Sequence, residues 1–195
     1  MLKNQNNLAD SKSGQALPKR IFLIGFMGSG KTTVGRKLAE LLHYTFIDMD
    51  SRIEADEAMA IRDIFIKRGE HHFRNQESRL LDQLALQTDI VVSCGGGIIH
   101  DAINVDCLRK SGPAVFLDGS APILFERVKN DGNRPFAFLD LGNEQQRYEK
   151  FADLYEKRRC HYIEASLFAV KIDGKTPDQI ASEIIDSFAL SGVLF

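Results

Sequence analysis

The chain of 195 residues is short of cysteine. It has three, Cys94, Cys107 and Cys160, an odd number at spacings that suit no metal. That argues against a disulfide framework and predicts a reduced, cytoplasmic setting. No run of about 18 apolar residues occurs, so no membrane span is expected. There is no excess of positive charge: 25 basic residues stand against 27 acidic ones, for a net charge of −2. Broad nucleic-acid binding needs a basic field and is excluded, although a local anion pocket is not. The first 19 residues, rich in Asn, Gln, Ser and Lys, lack the apolar stretch of a signal peptide and read as a flexible tail. The five histidines, His43, His71, His72, His100 and His161, share no ligand spacing and read as surface or helix-end residues. What is present, 44% hydrophobic and 27% charged residues, is ordinary for a globular chain long enough for one domain with its own core.

Short apolar runs alternate with helical patterns. Ile21-Phe22-Leu23-Ile24 ends at a glycine and reads as a strand buried on both faces. Lys31 to Leu42 follows as a helix, with Val34, Leu38, Leu41 and Leu42 at helical spacing. Further strands are predicted over 45–47, 89–93, 114–117 and 167–172. Helical stretches are predicted from Ile53 towards Gly69, from Phe73 to Leu86 and from Pro177 to Ala189. Five strands separated by helices imply a parallel sheet with helices on both faces, and ligands then bind beyond the carboxyl ends of the strands. Residues 130–146, with Gly132, Pro135 and Gly142 and little periodicity, read as a mobile lid.

Gly25-Phe26-Met27-Gly28-Ser29-Gly30-Lys31-Thr32 fits the full phosphate-binding pattern G-x-x-x-x-G-K-[ST], between a strand and a helix. Its glycines let backbone N–H groups face one concave space, and the helix adds its positive end. Gly28, Ser29, Gly30, Lys31, Thr32 and Thr33 therefore form a predicted ATP cradle. Lys31 reaches the β- and γ-phosphates and Thr32 offers a hydroxyl to Mg²⁺.

The acceptor side is less direct. Asp48 and Asp50 follow the second strand and can point into one cleft, or can serve as a helix amino-terminal cap. Arg74 can offer a bidentate fork to a carboxylate, or pair with Glu70 or Glu77 along one helix face. Ser93 stands roughly where many P-loop enzymes carry a metal-associated Asp. Gly95, Gly96 and Gly97 after it allow close ligand approach or a flexible turn. Cys94 between them reads as a small buried residue. Arg134 lies in the lid, and Arg158 and Arg159 on a helix beyond it.

In order, Gly25 to Gly35, Phe46-Ile47-Asp48-Met49-Asp50, Phe73-Arg74-x-x-Glu77, Gly95-Gly96-Gly97, Arg134-Pro135 and Arg158 four before Tyr162 resemble the shikimate kinase family over residues 20 to 185. The resemblance implies an α/β, P-loop NTPase-like (nucleoside monophosphate kinase-like) three-layer sandwich around a five-stranded parallel sheet. It implies one kinase domain over 20–190, with substrate-binding helices over about 50–80. Its reaction is transfer of the ATP γ-phosphoryl group to the 3-hydroxyl of shikimate, by a cytoplasmic monomer that uses Mg²⁺ and engages neither nucleic acid nor membrane. Asp50 then sits nearest the reacting hydroxyl, and Arg74 and Arg158 clamp the shikimate carboxylate beside Gly95, Gly96 and Gly97. Thr32, Asp48 and Ser93 serve the metal, and Lys31, Arg134 and Arg127 the nucleotide. Two features depart from the family pattern: Phe136-Ala137 follow Arg134-Pro135 in place of two leucines, and Arg158-Arg159-Cys160-His161 lacks the usual proline. Arg159 is thus a rival for the carboxylate role.

Overall fold

The computed structural model describes residues 17–130 and 142–191. Five parallel strands form one sheet in the order β2-β3-β1-β4-β5. They are β1 (Arg20–Ile24), β2 (Thr45–Asp48), β3 (Ile90–Ser93), β4 (Ala114–Asp118) and β5 (Phe168–Lys171). The three inner strands are apolar and sealed: Ile21 to Ile24, Val91, Val92 and Val115 to Leu117 are all fully buried. Strands covered on both faces must read this way, because neither side of the pleat meets water. The edge strands β2 and β5 carry partly exposed residues.

The helices are α1 (Lys31–Leu42), α2 (Met49–Glu57), α3 (Ile61–Arg68), α4 (Glu70–Leu84), α5 (Ala102–Ser111), α6 (Ala121–Val128), α7 (Glu144–Ala165) and α8 (Pro177–Ser191). Helix α1 buries Val34, Gly35, Leu38 and Ala39 at helical spacing. Gly35 is the close point of that contact, since a Cβ there would strike the Phe46 ring on β2. Phe26, Phe125, Phe151 and Tyr155 interlock under the P-loop, with Phe26 and Phe151 edge-to-face at 5.0 Å.

The helical stretch before Gly69 is two helices, not one. Ala58 closes α2 in the left-handed region, at φ 51°, and α3 starts at Ile61. Glu57 then joins the pieces: its carboxylate, 7% exposed, meets Arg68 at 2.5 Å and His72 at 2.9 Å, and accepts from Gln76 at 2.8 Å. Two further boundaries move. Residues 17–19 belong with the folded unit, because Leu17 packs on the core and the Lys19 carbonyl accepts from the Ile90 N–H at 3.2 Å. Residues 144–146, assigned to the lid, are the first turn of α7. There Asn143 and Gln146 form a reciprocal capping box.

Leu38 is fully buried and Leu41, on the same helix, is 45% exposed. Leu38→Ala is expected to cost about 2–5 kcal/mol of unfolding free energy in urea titration. Leu41→Ala is expected to cost under about 1 kcal/mol, because surface positions tolerate truncation. Equal costs would contradict the packing of α1.

Candidate active site

The P-loop bridges β1 and α1. Gly28 adopts φ 80°, and a Cβ on it would lie 2.7 Å from the Leu124 carbonyl oxygen, so both backbone and space require glycine there. No side chain caps the amino terminus of α1. Its first N–H groups stay available to an anion, and the helix dipole favours one there. The Lys31 ammonium folds back over the loop and donates to the carbonyls of Gly25 at 2.8 Å and Phe26 at 3.2 Å. Ser29 is buried, and Arg127 reaches from α6 to donate to the Gly28 carbonyl at 3.1 Å. Lys31 and Arg127 thus bring two cations to the rim of the cradle.

Beside it lies an oxygen-rich corner. Thr32 Oγ1 donates to Asp48 Oδ2 at 2.7 Å, and Asp48 is paired in register with Ser93 on β3. Asp48 also accepts from the Ser51 N–H at 3.2 Å, so it does cap α2. The capping role and a place in the cleft are compatible. Among the described residues no group of three or more His, Cys, Asp or Glu side chains could cage a metal ion. Hydroxyl and carboxylate oxygens in small number suit Mg²⁺, which keeps several waters and leans on substrate phosphates.

The acceptor residues meet across the Gly95–Gly97 loop. A Cβ at Gly95 would lie 2.9 Å from Asp50 Oδ1 and would clash with the Glu77 carboxylate. At Gly97 it would run into the Arg74 guanidinium. Those glycines are therefore small to let side chains from α2 and α4 close in. Arg74 Nη1 donates to Glu77, while its Nε and Nη2 share Glu70 Oε1 at 3.3 and 3.1 Å. Its guanidinium also lies 5.3 Å from the centre of the Phe73 ring and 5.9 Å from that of Phe65. Of the two sequence readings of Arg74, the pairing along its helix with Glu70 and Glu77 is seen, and the guanidinium also lies against Gly97.

Opposite stands Arg158 of α7, its guanidinium 5.7 Å over the Phe26 ring. Its Nε is buried without a hydrogen-bond partner. Burial, and then the like charge of Arg74, hold this guanidinium below its ordinary basicity. Tyr162, one turn on, donates its hydroxyl to the Gly96 carbonyl at 2.5 Å and stacks on Phe116. His100, in the 3₁₀ turn Ile98–His100, has its basicity lowered by burial and then by the charges of Arg158 and Arg74. Arg159 turns away: it grips Asp118 with Nε at 3.1 Å and Nη2 at 2.8 Å. Arg134 lies outside the described residues. Cys94 is buried, and burial raises its thiol far above the ordinary range.

Glu77 entered the sequence reading only as a pairing residue of α4. Here it is 1% exposed, with Oε1 buried and unpartnered beside the Gly95 loop. Burial pushes its carboxyl up to about 7, Arg74 pulls it back, and the Asp50 charge adds to the rise. The spacing Arg74-x-x-Glu77 was the available signal; the burial was not visible in it. A folded-state value above the ordinary 4.5 favours the protonated form. Its stabilisation is full below pH 4.5 and fades as pH rises through 7. Urea unfolding of the native chain should therefore lose roughly 2–3 kcal/mol more than Glu77→Gln between about pH 5 and 8. Parallel pH curves would contradict this.

Comparison with known proteins agrees with this geometry. The family model described as "Shikimate kinase" matches residues 27–189. The shikimate kinase of Sulfurihydrogenibium sp. is 41% identical over 167 residues, covering 86% of this chain and 96% of that protein. That of Persephonella marina is 38% identical, with 86% and 97% covered. Among solved structures, a shikimate kinase from Acinetobacter baumannii in complex with shikimate superimposes with a TM-score of 0.83 at 34% identity, covering 92% of this chain and 97% of that one. With this match over most of its length, and with a P-loop, two arginines and the buried Glu77 at the carboxyl ends of the strands, the chain belongs to the shikimate kinase family.

Proposed function

We propose that the chain transfers the γ-phosphoryl group of ATP to the 3-hydroxyl of shikimate, giving shikimate 3-phosphate and ADP. The observation that carries this reading is the cleft between Arg74 and Arg158. Two guanidinium groups from different helices face one space, close enough for the charge of one to act on the other. Half-buried like charges repel, and Glu70 and Glu77 meet only the Arg74 side, so an anion between the two would be favoured. A carboxylate fills that need and matches the fork geometry of arginine.

With its carboxylate held there, the ring of the acceptor extends along the Gly95–Gly97 loop towards Asp50. Asp50 lies on the first turn of α2, next to the Asp48–Thr32 corner where the γ-phosphate ends. Its carboxylate orients the attacking hydroxyl and takes up its proton. Lys31, released from the Gly25 and Phe26 carbonyls, offsets charge on the transferring group. Positioning and charge dominate such reactions, and little covalent work falls to the protein. Thr32 would hold Mg²⁺ directly, and Asp48 and Ser93 through metal-bound water. The ion supplies charge neutralisation on the β- and γ-phosphate oxygens.

Arg127 lies against the P-loop and is placed to reach the nucleotide. The roles of Arg134 and of a closing lid rest on the family resemblance alone. The three cysteines are free thiols, which suits a reducing compartment.

A coupled assay of ADP release tests the reading. Shikimate should stimulate release strongly, while gluconate or no acceptor should leave only background; equal rates with all three would contradict it. Arg74→Lys should raise KM for shikimate at least about tenfold while that for ATP stays within about twofold, because a point charge cannot replace the fork. A near-normal KM for shikimate in that variant would remove Arg74 from the clamp.

A further inference from the structure

Arg158 and Arg159 are neighbours on one helix, and only one of them faces the acceptor cleft. Successive residues on an α-helix lie about 100° apart, so a rotation of α7 by about that angle would exchange them. The helix runs unbroken from Glu144 to Ala165 through Cys160 and turns Phe151, Tyr155, Tyr162 and Ala165 into the core, which sets its rotation coarsely. Arg158 adds no hold through its Nε, which has no partner, and its charged neighbour Arg74 repels it.

A polar tie from the sheet holds the rotation that this packing selects. Asp118 is the last residue of β4, and its side chain is 3% exposed. Its Oδ1 accepts from the Tyr155 hydroxyl at 2.6 Å and from Arg159 Nε at 3.1 Å. Its Oδ2 accepts from Arg159 Nη2 at 2.8 Å and from Lys171 Nζ at 2.5 Å. Tyr155 and Arg159 are four apart and share one face of α7. Lys171 is the residue paired with Asp118 in the sheet register. One buried carboxylate therefore binds two residues of α7 and one of β5. Burial alone would raise its pKa, yet the three donors hold it down to about 2, so it is charged at any working pH. On the other side of Arg158, Tyr162 ties the helix to Gly96.

We infer that Asp118 is a positioning residue for acceptor binding: by gripping Arg159 and Tyr155 it fixes the rotation of α7, so that Arg158 and not Arg159 faces Arg74. It touches neither substrate nor reacting atoms in this scheme. The inference rests on the proposed acceptor, and deepens it by assigning which arginine the clamp uses and what makes the choice.

The test compares the native chain, Asp118→Asn, Asp118→Asn with Arg159→Gln, and Tyr155→Phe. Shikimate affinity is measured by calorimetry, and kcat and both KM values by ADP release. Asp118→Asn frees Arg159 and should weaken shikimate binding about tenfold while KM for ATP stays within about twofold. The double variant removes the freed cation and restores a neutral amide pair, and should recover affinity to within about threefold of native. Tyr155→Phe deletes one donor without changing shape and should weaken shikimate about threefold, which keeps the inference open to refutation should Asp118→Asn not fold. A purely stabilising role would lower only the active fraction, reducing kcat and leaving both KM values unchanged. That result, or equal rises in the two KM values, overturns the inference. Failure of the native chain to turn over shikimate would instead refute the proposed function.

Discussion

The acceptor side of this molecule depends on one contact: the Arg74 guanidinium lying against Gly97 while a carboxylate sealed from water, Glu77, holds it from behind. A buried carboxylate is costly without a partner, and a guanidinium bound on only part of its donor fork still presents the rest. The pair thus stabilises the charge of Arg74 in a half-buried place and leaves it able to bind an anion. Any side chain at Gly97 would take that place. Arg158 adds a second cation at the same mouth, beside an Arg74 whose charge Glu70 and Glu77 already meet in part.

The sheet supplies the other half. Placing β1 in the middle brings the P-loop between the ends of β3 and β4, and β2 delivers Asp48 and Asp50 alongside. The register of Asp48 with Ser93, and of Leu23 with Ser93, sets these residues side by side to within a strand spacing. Phosphate cradle, metal corner and acceptor cleft are therefore one continuous surface.

Much of this was legible in the sequence because it is local. Lys31 to Leu42 emerged with its exact bounds, since glycines precede it and its apolar spacing is regular. The buried inner strands read directly as apolar runs. What escaped was set by tertiary structure. The break at Ala58 needs a left-handed alanine, which no propensity announces. The choice between Arg158 and Arg159 depends on Asp118, about forty residues away in sequence, so helix periodicity could not make it. Glu77 reads as a surface ion-pair partner by spacing, and only its burial against the glycine loop reveals a different environment. Asp48 caps α2 and Arg74 pairs along its helix, yet Asp48 also meets Thr32 and Arg74 also lies against Gly97.

The central claim is that a carboxylate-bearing acceptor docks on Arg74 at the point where Gly97 leaves room. Calorimetric titration of shikimate into Gly97→Ala tests it most directly, with ADP binding as the internal control. Loss of measurable shikimate binding with ADP affinity unchanged is the predicted result. Native shikimate affinity in a folded Gly97→Ala protein would contradict the account.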